Sequence, residues 1–274
     1  MTQGTDTGFW TVVGRSVRGA SHRRRGAGNQ DAFGWSQAGT SLVAAVADGH
    51  GSAASFRSAT GAAMAVQAAV SVLRDFEETV PASAGEVPAR LVAHWRLLVN
   101  RDLVLSPFSD AEAAAVNGRQ GAHWRAYGST LLAALATPSH MLYLQLGDGD
   151  ILIVSEDGSV ARPWPRDSRL LGVETTSLCG SDAVAETRVA IQPHTGDSPA
   201  LVLLATDGYA NSFREDDGFL RTGKDLLDLV RENGIEGVEA NLEGWLNEAS
   251  ELGSGDDITL AVLCRREAGG SHGS

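Results

Sequence analysis

Acidic residues follow apolar runs at several separate points of the sequence. The run from Leu42 to Ala47 ends in Asp48, and similar runs lead to Asp148 and Asp207. A further acidic residue, Asp256, precedes the last apolar run. Carboxylates that meet in one small volume raise each other's pKa unless cations lie among them. If the ends of these runs converge, they predict a site for oxygen-binding magnesium or manganese rather than for zinc or copper.

The alternative interpretation is an ordinary turn, since Asp-Gly is a common turn dipeptide. One Asp-Gly after one apolar run is best explained in that way. Here the dipeptide follows three apolar runs, and an acidic pair in a glycine-rich stretch precedes a fourth. The repetition favours one shared metal site over four unrelated turns.

The composition argues against several classes of function. The 274 residues carry a formal net charge of −12, with 22 basic and 34 acidic residues, whereas binders of nucleic acids or anionic membranes need a positive surface. The cysteines, Cys179 and Cys264, have neither metal-binding nor disulfide spacing, which indicates a reducing compartment. Neither a signal-peptide pattern nor an apolar run of roughly 18 residues is present. We expect a soluble, cytoplasmic monomer that binds neither nucleic acid nor membrane.

Strands that could position the acidic residues are predicted from β-branched, aromatic and aliphatic runs, at residues 9–17, 31–36, 42–47, 183–192, 200–206 and 258–265. Between residues 128 and 155 three short apolar runs are separated by the breaks 137–140 and 147–150. Both breaks have the composition of hairpin turns, so three consecutive antiparallel strands are predicted there.

Helices are predicted where apolar residues recur at helical spacing, at residues 53–79, 91–105, 224–233 and 238–252. Glycine-rich residues 18–28 are expected to form a loop, and residues 107–127 a loop with one short helix. Residues 163–182 contain several prolines and glycines and are expected to form a mobile flap near the site. The alternation of strands with helical pairs predicts an α+β fold in which two packed antiparallel sheets are flanked by helices.

Six motifs occur in the order typical of one known family. They are NQDAF at 29–33, VADGHG at 46–51, GSTLLAAL at 128–135, LGDGD at 146–150, LLATDG at 203–208 and GSGDDITLAVL at 253–263. With them the chain resembles the metal-dependent serine/threonine protein phosphatases of type 2C, the PPM family, from about residue 14 to residue 264. We therefore expect one phosphatase domain at 9–266, with flexible tails at 1–8 and 267–274.

The resemblance implies a four-layer αββα sandwich with two Mn²⁺ or Mg²⁺ ions at one end of the sheets. In the matching positions, Asp48 bridges both ions, the Gly49 carbonyl binds one of them, and Asp207 and Asp256 complete the other. Asp148 matches the residue that holds a third, weaker ion in many bacterial members.

Asp31 matches a carboxylate that orients metal-bound water in the family. The implied reaction is attack of a metal-bridging hydroxide on the phosphorus of phosphoserine or phosphothreonine in a protein, and such substrates come from serine/threonine kinases. This mechanism needs no nucleophilic side chain, and the sequence contains neither a G-x-S-x-G nor a cysteine signature.

Three positions depart from the family pattern. Gln30 stands where the family usually has glutamate, and Asp150 stands where it usually has arginine. The family's phosphate-binding arginine corresponds to Gly26, one residue after Arg25, so either Arg25 or the nearby His22 could take that role. A solvated basic loop without contact to phosphate explains this segment equally well.

Further alternatives stay open at this point. His50 matches a residue proposed as general acid for the leaving group, or it orients water molecules beside the metals. Gln30 and Asp150 would also suit a pseudophosphatase, in which the fold serves as a regulatory or docking module with weakened metal sites. Hydrolysis of a small phosphorylated metabolite is a third possibility, because metal ligands do not determine the substrate.

Overall fold

The computed structural model describes residues 10–76, 84–116, 121–167, 169, 175–194 and 198–266. Across these residues, ten strands form two antiparallel five-stranded sheets, and helices cover the outer faces of both. The predicted α+β sandwich is confirmed. The predicted tails and parts of the predicted flap and of the first helix fall outside the described residues.

The first sheet has the strand order β1-β10-β9-β6-β7. Its strands are β1 (Trp10–Val17), β6 (Asp150–Val154), β7 (Val160–Ala161), β9 (Leu201–Ala205) and β10 (Ile258–Arg265). Strand β10 lies between β1 and β9, and Val17 of β1 pairs with Ile258 at the start of β10. Strands β1 and β10, which are distant in sequence, are therefore neighbours in this sheet.

The second sheet has the order β2-β3-β4-β5-β8. Its strands are β2 (Ala32–Ala38), β3 (Ser41–Ala47), β4 (Leu131–Ala136), β5 (His140–Leu146) and β8 (Arg188–Pro193). Strand β3 is buried along its whole length. Val43 and Ala45 pack toward the helices, whereas Ala44 and Val46 pack toward the other sheet. This burial on both faces explains the uninterrupted apolar run in the sequence.

The helices are α1 (Ala20–Arg25), α2 (Ser58–Arg74), α3 (Val87–Leu105), α4 (Asp110–Val116), α5 (Ala122–Arg125), α6 (Ala183–Glu186), α7 (Asp207–Ala210) and α8 (Asp216–Ala249). Helices α2 and α3 share a core with the second sheet, and α8 shares one with the first. Helix α8 is kinked at Gly234, whose φ is 72°. A π-helical turn, Ser250–Ser254, follows α8 and leads toward β10.

One predicted hairpin is wrong. Strands β4 and β5 pair as predicted, but β6 pairs with β9 and β7 in the other sheet. Residues 147–149 therefore cross from one sheet to the other instead of turning back beside β5. The φ of 108° at Gly147 is accessible to glycine and permits this change of direction.

Four other local predictions need correction. Residues 18–28 contain the short helix α1, which ends at Gly26 in the left-handed conformation with φ of 71°, so this glycine caps a helix. Residues 107–127 include two short helices, and residues 183–192 begin with helix α6 before β8. The predicted helix at 224–233 starts earlier, at Asp216, because two aspartates in the first turn favour a helix N-terminus.

Within the described ranges, we find no helix that combines the length and apolar character needed to cross a membrane.

Candidate active site

Five aspartates lie at the same end of the two sheets. Asp31 precedes β2 and Asp48 follows β3, while Asp207 follows β9 and Asp256 lies just before β10. Asp148 lies in the segment that crosses between β5 and β6. Because neighbouring strands are antiparallel, the end of one strand and the start of the next meet at one edge of the sheet. The fold therefore brings together the carboxylates that the sequence pattern singled out.

The electrostatics of this cluster confirm that the carboxylates are close neighbours. Burial, and then the charges of Asp31 and Asp207, raise the pKa of Asp48 well above its usual range. Burial likewise raises the pKa of Asp31 to about 8, although hydroxyl groups oppose the shift. Burial and then the charge of Asp148 raise the pKa of Asp207 to about 6. Without a cation, the folded protein holds protons here that an unfolded chain would release.

The donor chemistry fits a hard divalent cation. All five side chains offer only oxygen ligands, and their mutual repulsion is the kind that a bound cation relieves. In the described part of the chain, no group of three or more His, Cys, Asp or Glu side chains is arranged so that it could hold an ion. The fit therefore depends on the type of the donor atoms and on the repulsion between the carboxylates.

The backbone around Asp48 is fixed by close contacts. Its N–H donates to Thr130 Oγ1 at 3.1 Å, and its carbonyl accepts from the Thr130 N–H at 2.8 Å. The next residue, Gly49, donates its N–H to the Gln30 carbonyl at 3.2 Å. A Cβ on Gly49 would lie 2.6 Å from that carbonyl and 2.7 Å from the Ser58 carbonyl. Only glycine fits between these two segments.

The NQD motif positions Asp31 through its neighbours. Asp31 Oδ2 accepts from Thr206 Oγ1 at 2.8 Å, which ties the motif to the residue before Asp207. The Asp31 N–H donates to Asn29 Oδ1 at 3.0 Å, and Asn29 Nδ2 donates to Ser16 Oγ at 2.8 Å. The asparagine of the motif is therefore a structural link between β1 and the site.

Gln30 does not direct its amide group at the carboxylates. Gln30 Nε2 donates to Ser58 Oγ at 3.0 Å, at the start of α2, while its backbone joins Gly49 and Asp257. The neutral side chain thus has a structural partner of its own. The departure from glutamate at this position leaves the five-aspartate cluster intact.

Asp257 has a role that the sequence did not reveal. It is 4% exposed and accepts hydrogen bonds from the Gly19 N–H at 2.6 Å, from the Gln30 N–H at 2.6 Å and from His22 Nδ1 at 2.9 Å. It thereby joins α1 and the NQD motif to the start of β10. The adjacent Asp256 was the more obvious candidate, and only the acidic doublet itself could have drawn attention to Asp257.

The second departure, Asp150, is neutralised by arginines. It is 3% exposed, and its carboxylate pairs with Arg162 Nε at 2.5 Å and with Arg166 at 3.1 Å. Arg162 also forms two hydrogen bonds to Asp216 at the start of α8. A buried carboxylate paired in this way adds no uncompensated charge beside Asp148. Asp150 is therefore a structural residue rather than a damaged part of the site.

The basic segment, residues 22–25, contains residues with and residues without partners distant in sequence. His22 is bound to Asp257, and Arg23 contacts Asn247 and Glu251 near the end of α8. Arg25 is exposed and donates only within its own helix, from Nε to the Ser21 carbonyl at 3.3 Å. Within the described part of the chain, neither His22 nor Arg25 contacts the five aspartates, so their predicted contact with phosphate stays a prediction.

His50 lies at the edge of the cluster with its backbone fixed. Its N–H donates to the Gly128 carbonyl at 3.0 Å, and its ring packs so closely on Gly128 that an added Cβ would lie 2.5 Å from it. Burial lowers the pKa of His50, and the charge of Arg125 lowers it further, whereas Asp148 raises it. Bound cations would lower this pKa again. A neutral imidazole suits the orientation of water better than it suits proton donation.

Together, the fold and the site consist of two sheets between helices with a carboxylate cluster at one end. Comparison with known proteins identifies the family. The sequence model described as protein phosphatase 2C matches residues 18–247. The chain belongs to the protein phosphatase 2C family and, as a member, is a phosphatase of the hydrolase class. No curated protein sequence is significantly similar to the chain.

Solved structures of bacterial phosphatases share the fold. A bacterial serine phosphatase is 13% identical, with a TM-score of 0.63, over 94% of this chain and 98% of that chain. The catalytic domain of the serine/threonine phosphatase PstP, in complex with two manganese ions, is 17% identical, with a TM-score of 0.55, over 94% and 99%. A serine/threonine phosphatase from Staphylococcus aureus is 13% identical, with a TM-score of 0.56, over 98% and 100%. At these identities the likeness establishes the fold alone.

Proposed function

We propose that this protein is a Mn²⁺- or Mg²⁺-dependent phosphatase that dephosphorylates phosphoserine and phosphothreonine in proteins. The observation that carries the proposal is the cluster of five aspartates at one end of the sandwich, where burial and neighbouring carboxylates raise the pKa values of Asp31, Asp48 and Asp207. The domain would span residues 9–266. Its substrates would be the products of a serine/threonine kinase in the cytoplasm.

Each residue of the proposed site has a distinct task. Asp48, Asp207 and Asp256, with the Gly49 carbonyl, would hold two cations, and Asp148 would hold a third. Such cations polarise a phosphoryl group and lower the pKa of water.

Asp31 is held by Thr206 at a fixed orientation, so it can accept a proton from an attacking water molecule. We assign orientation of water also to His50, because burial favours its neutral form. The hydrogen bonds around Asp257 and Thr130 keep these groups in place before substrate arrives.

The proposal is tested by hydrolysis of p-nitrophenyl phosphate and of a phosphoserine peptide, each with Mn²⁺ and with EDTA. We expect both substrates to be hydrolysed with Mn²⁺ and neither with EDTA. Hydrolysis of a small phosphorylated metabolite but not of the peptide would contradict the assignment to protein substrates. Binding of Mn²⁺ without hydrolysis of any phosphomonoester would indicate a pseudophosphatase.

We further propose that Arg25 contacts the phosphoryl group of the substrate, since only its Nε is bonded within the helix and its two Nη groups have no partner among the described residues. In Arg25→Ala we expect kcat/KM for the phosphopeptide to fall about tenfold, as loss of a charge-assisted hydrogen bond predicts. The affinity for Mn²⁺ should not change. Arg24→Ala is the matched control, because Arg24 is equally exposed and bonds only to Ser21 Oγ in its own helix. Equal kinetics for the two variants would mean that α1 is a solvated basic surface.

A further inference from the structure

A cleft of about 790 Å³ opens beside His50. One wall consists of residues 175–183 with Glu186, from the segment that leads into and forms α6, and the other consists of residues 50–52, Ser55 and Arg125. Most of the polar lining groups are hydroxyls, and the basic residues are His50 and Arg125. Because His50 follows Asp48 by two residues, the cleft lies beside the end of the sandwich that carries the proposed active site.

The backbone of Arg125 is fixed next to His50. Arg125 ends α5, and the following Ala126 carbonyl accepts from the Arg57 N–H at 2.8 Å. The Arg125 carbonyl accepts from the Gly128 N–H at 3.1 Å, and Gly128 in turn accepts from the His50 N–H at 3.0 Å. The base of the Arg125 side chain therefore has a defined place on the wall of the cleft.

Arg125 presents an exposed cation on the wall of the cleft. Its side chain is exposed and forms no hydrogen bond or ion pair with any residue in the described ranges. By contrast, Arg162 pairs with Asp150 and Asp216. Of the two carboxylates that line the cleft, Glu186 already pairs with Arg169 at 2.9 Å. In a chain with a net charge of −12, an unpaired cation in a cleft beside the site is suited to an anionic ligand.

The position of His50 indicates which anionic group that would be. His50 lines the cleft together with Arg125, and it follows Asp48 of the cluster by two residues. None of the five aspartates lines the cleft, so a phosphoryl group bound at the cluster would lie outside the wall that carries Arg125. The guanidinium is better placed for a side chain adjacent to the phosphorylated residue than for the phosphoryl group itself.

Building on the proposed function, we propose that Arg125 determines specificity by pairing with a glutamate or aspartate side chain adjacent to the phosphorylated serine or threonine of the substrate. The contact would be a partly exposed ion pair across the cleft. Such pairs contribute modestly, so the expected preference for an acidic neighbour is about fivefold.

The test uses two phosphoserine peptides that differ only in having glutamate or glutamine next to the phosphoserine. For each peptide, kcat/KM is measured with Mn²⁺, and the dissociation constant is measured by fluorescence anisotropy without divalent cations. Wild type should favour the glutamate peptide about fivefold in both measurements. Arg125→Gln should abolish the preference, and Arg125→Lys should retain part of it. The control Arg101→Gln removes the same charge from an exposed residue of α3 outside the cleft and should retain the full preference.

Three results would overturn the proposal: no preference in wild type, an unchanged preference in Arg125→Gln, or an equal loss for both peptides in that variant. The last result would place Arg125 on the phosphoryl group. If wild type hydrolyses neither peptide, the proposed function fails, while the dissociation constants still decide whether Arg125 recognises the acidic side chain. Thermal midpoints of the variants establish that each one is folded.

Discussion

Replacement of Asp48 by alanine is expected to abolish hydrolysis while stabilising the protein in the absence of metal. The carboxylate is the central oxygen donor of the proposed site, and removal of one group that stabilises charge in a transition state costs roughly a hundred- to a thousandfold in kcat. The same carboxylate is buried beside Asp31 and Asp207, and its pKa is raised by burial and by their charges. Alanine removes this unfavourable burial of charge.

The matched control for this variant is Asp157→Ala. Asp157 also belongs to an Asp-Gly dipeptide that follows an apolar strand, but it is exposed and its Oδ1 accepts from the Ser159 N–H at 2.9 Å. Asp157 therefore belongs to an ordinary Asp-Gly turn, which is the alternative interpretation of these dipeptides. We expect Asp157→Ala to have the activity of the wild-type protein. The measurement is kcat with Mn²⁺ together with the thermal midpoint in EDTA, and full activity of Asp48→Ala would refute the assignment.

The second large effect concerns stability. A cation that binds only the folded state, at a hundredfold excess over its Kd, adds about 2.7 kcal/mol to the free energy of unfolding. For a chain of this size, each kcal/mol corresponds to about 2–4 °C in thermal midpoint, so millimolar Mn²⁺ should raise the midpoint by about 5–10 °C.

The shift should also depend on pH. Burial raises the pKa of Asp207 to about 6 and that of Asp31 to about 8 in the metal-free folded state, so this state keeps protons that the unfolded chain releases near pH 4. The contribution of these two groups to metal-free stability is therefore greatest at low pH and falls as the pH rises from about 4 to about 8. Because cations bind the deprotonated carboxylates, the Mn²⁺-dependent shift should increase over the same range.

Scans with Mn²⁺ and with EDTA at pH 5, 6, 7 and 8 measure both trends. Asp48→Asn is the control, because it keeps the shape of the side chain but removes one charge from the cluster. In this variant the metal-free midpoint should fall less steeply with pH. An unchanged wild-type midpoint with Mn²⁺ at all four pH values would favour a pseudophosphatase.

Features determined by local burial could be predicted from the sequence. The apolar run before Asp48 predicts a strand buried on both faces, since no polar residue interrupts residues 42–47, and β3 has that environment. The convergence of the aspartates was also predictable, because buried strands in packed sheets end at common edges. Repetition of the same motif carried this information, and a single motif could not have done so.

Features determined by long-range pairing could not be predicted. Residues 147–149 have the composition of a hairpin turn, but composition does not show which sheet the next strand joins. The role of Asp257 depends on partners more than 200 residues away in sequence, as its contacts with Gly19, His22 and Gln30 illustrate. Likewise, the composition around Gly26 predicts a loop, and only the structure shows that this glycine caps a helix.

The position of β10 between β1 and β9 in the first sheet has a consequence for biosynthesis. This strand, which follows Asp256 directly, pairs with β1 on one side and with β9 on the other. While the ribosome is still adding these residues, β1 lacks the strand that joins it to β9, and the site lacks Asp256 and Asp257. Contacts between segments so distant in sequence form late and slowly in folding. A nascent chain should therefore have no activity until β10 has left the ribosome. Cleavage before Ile258 would inactivate the enzyme, because it removes this strand.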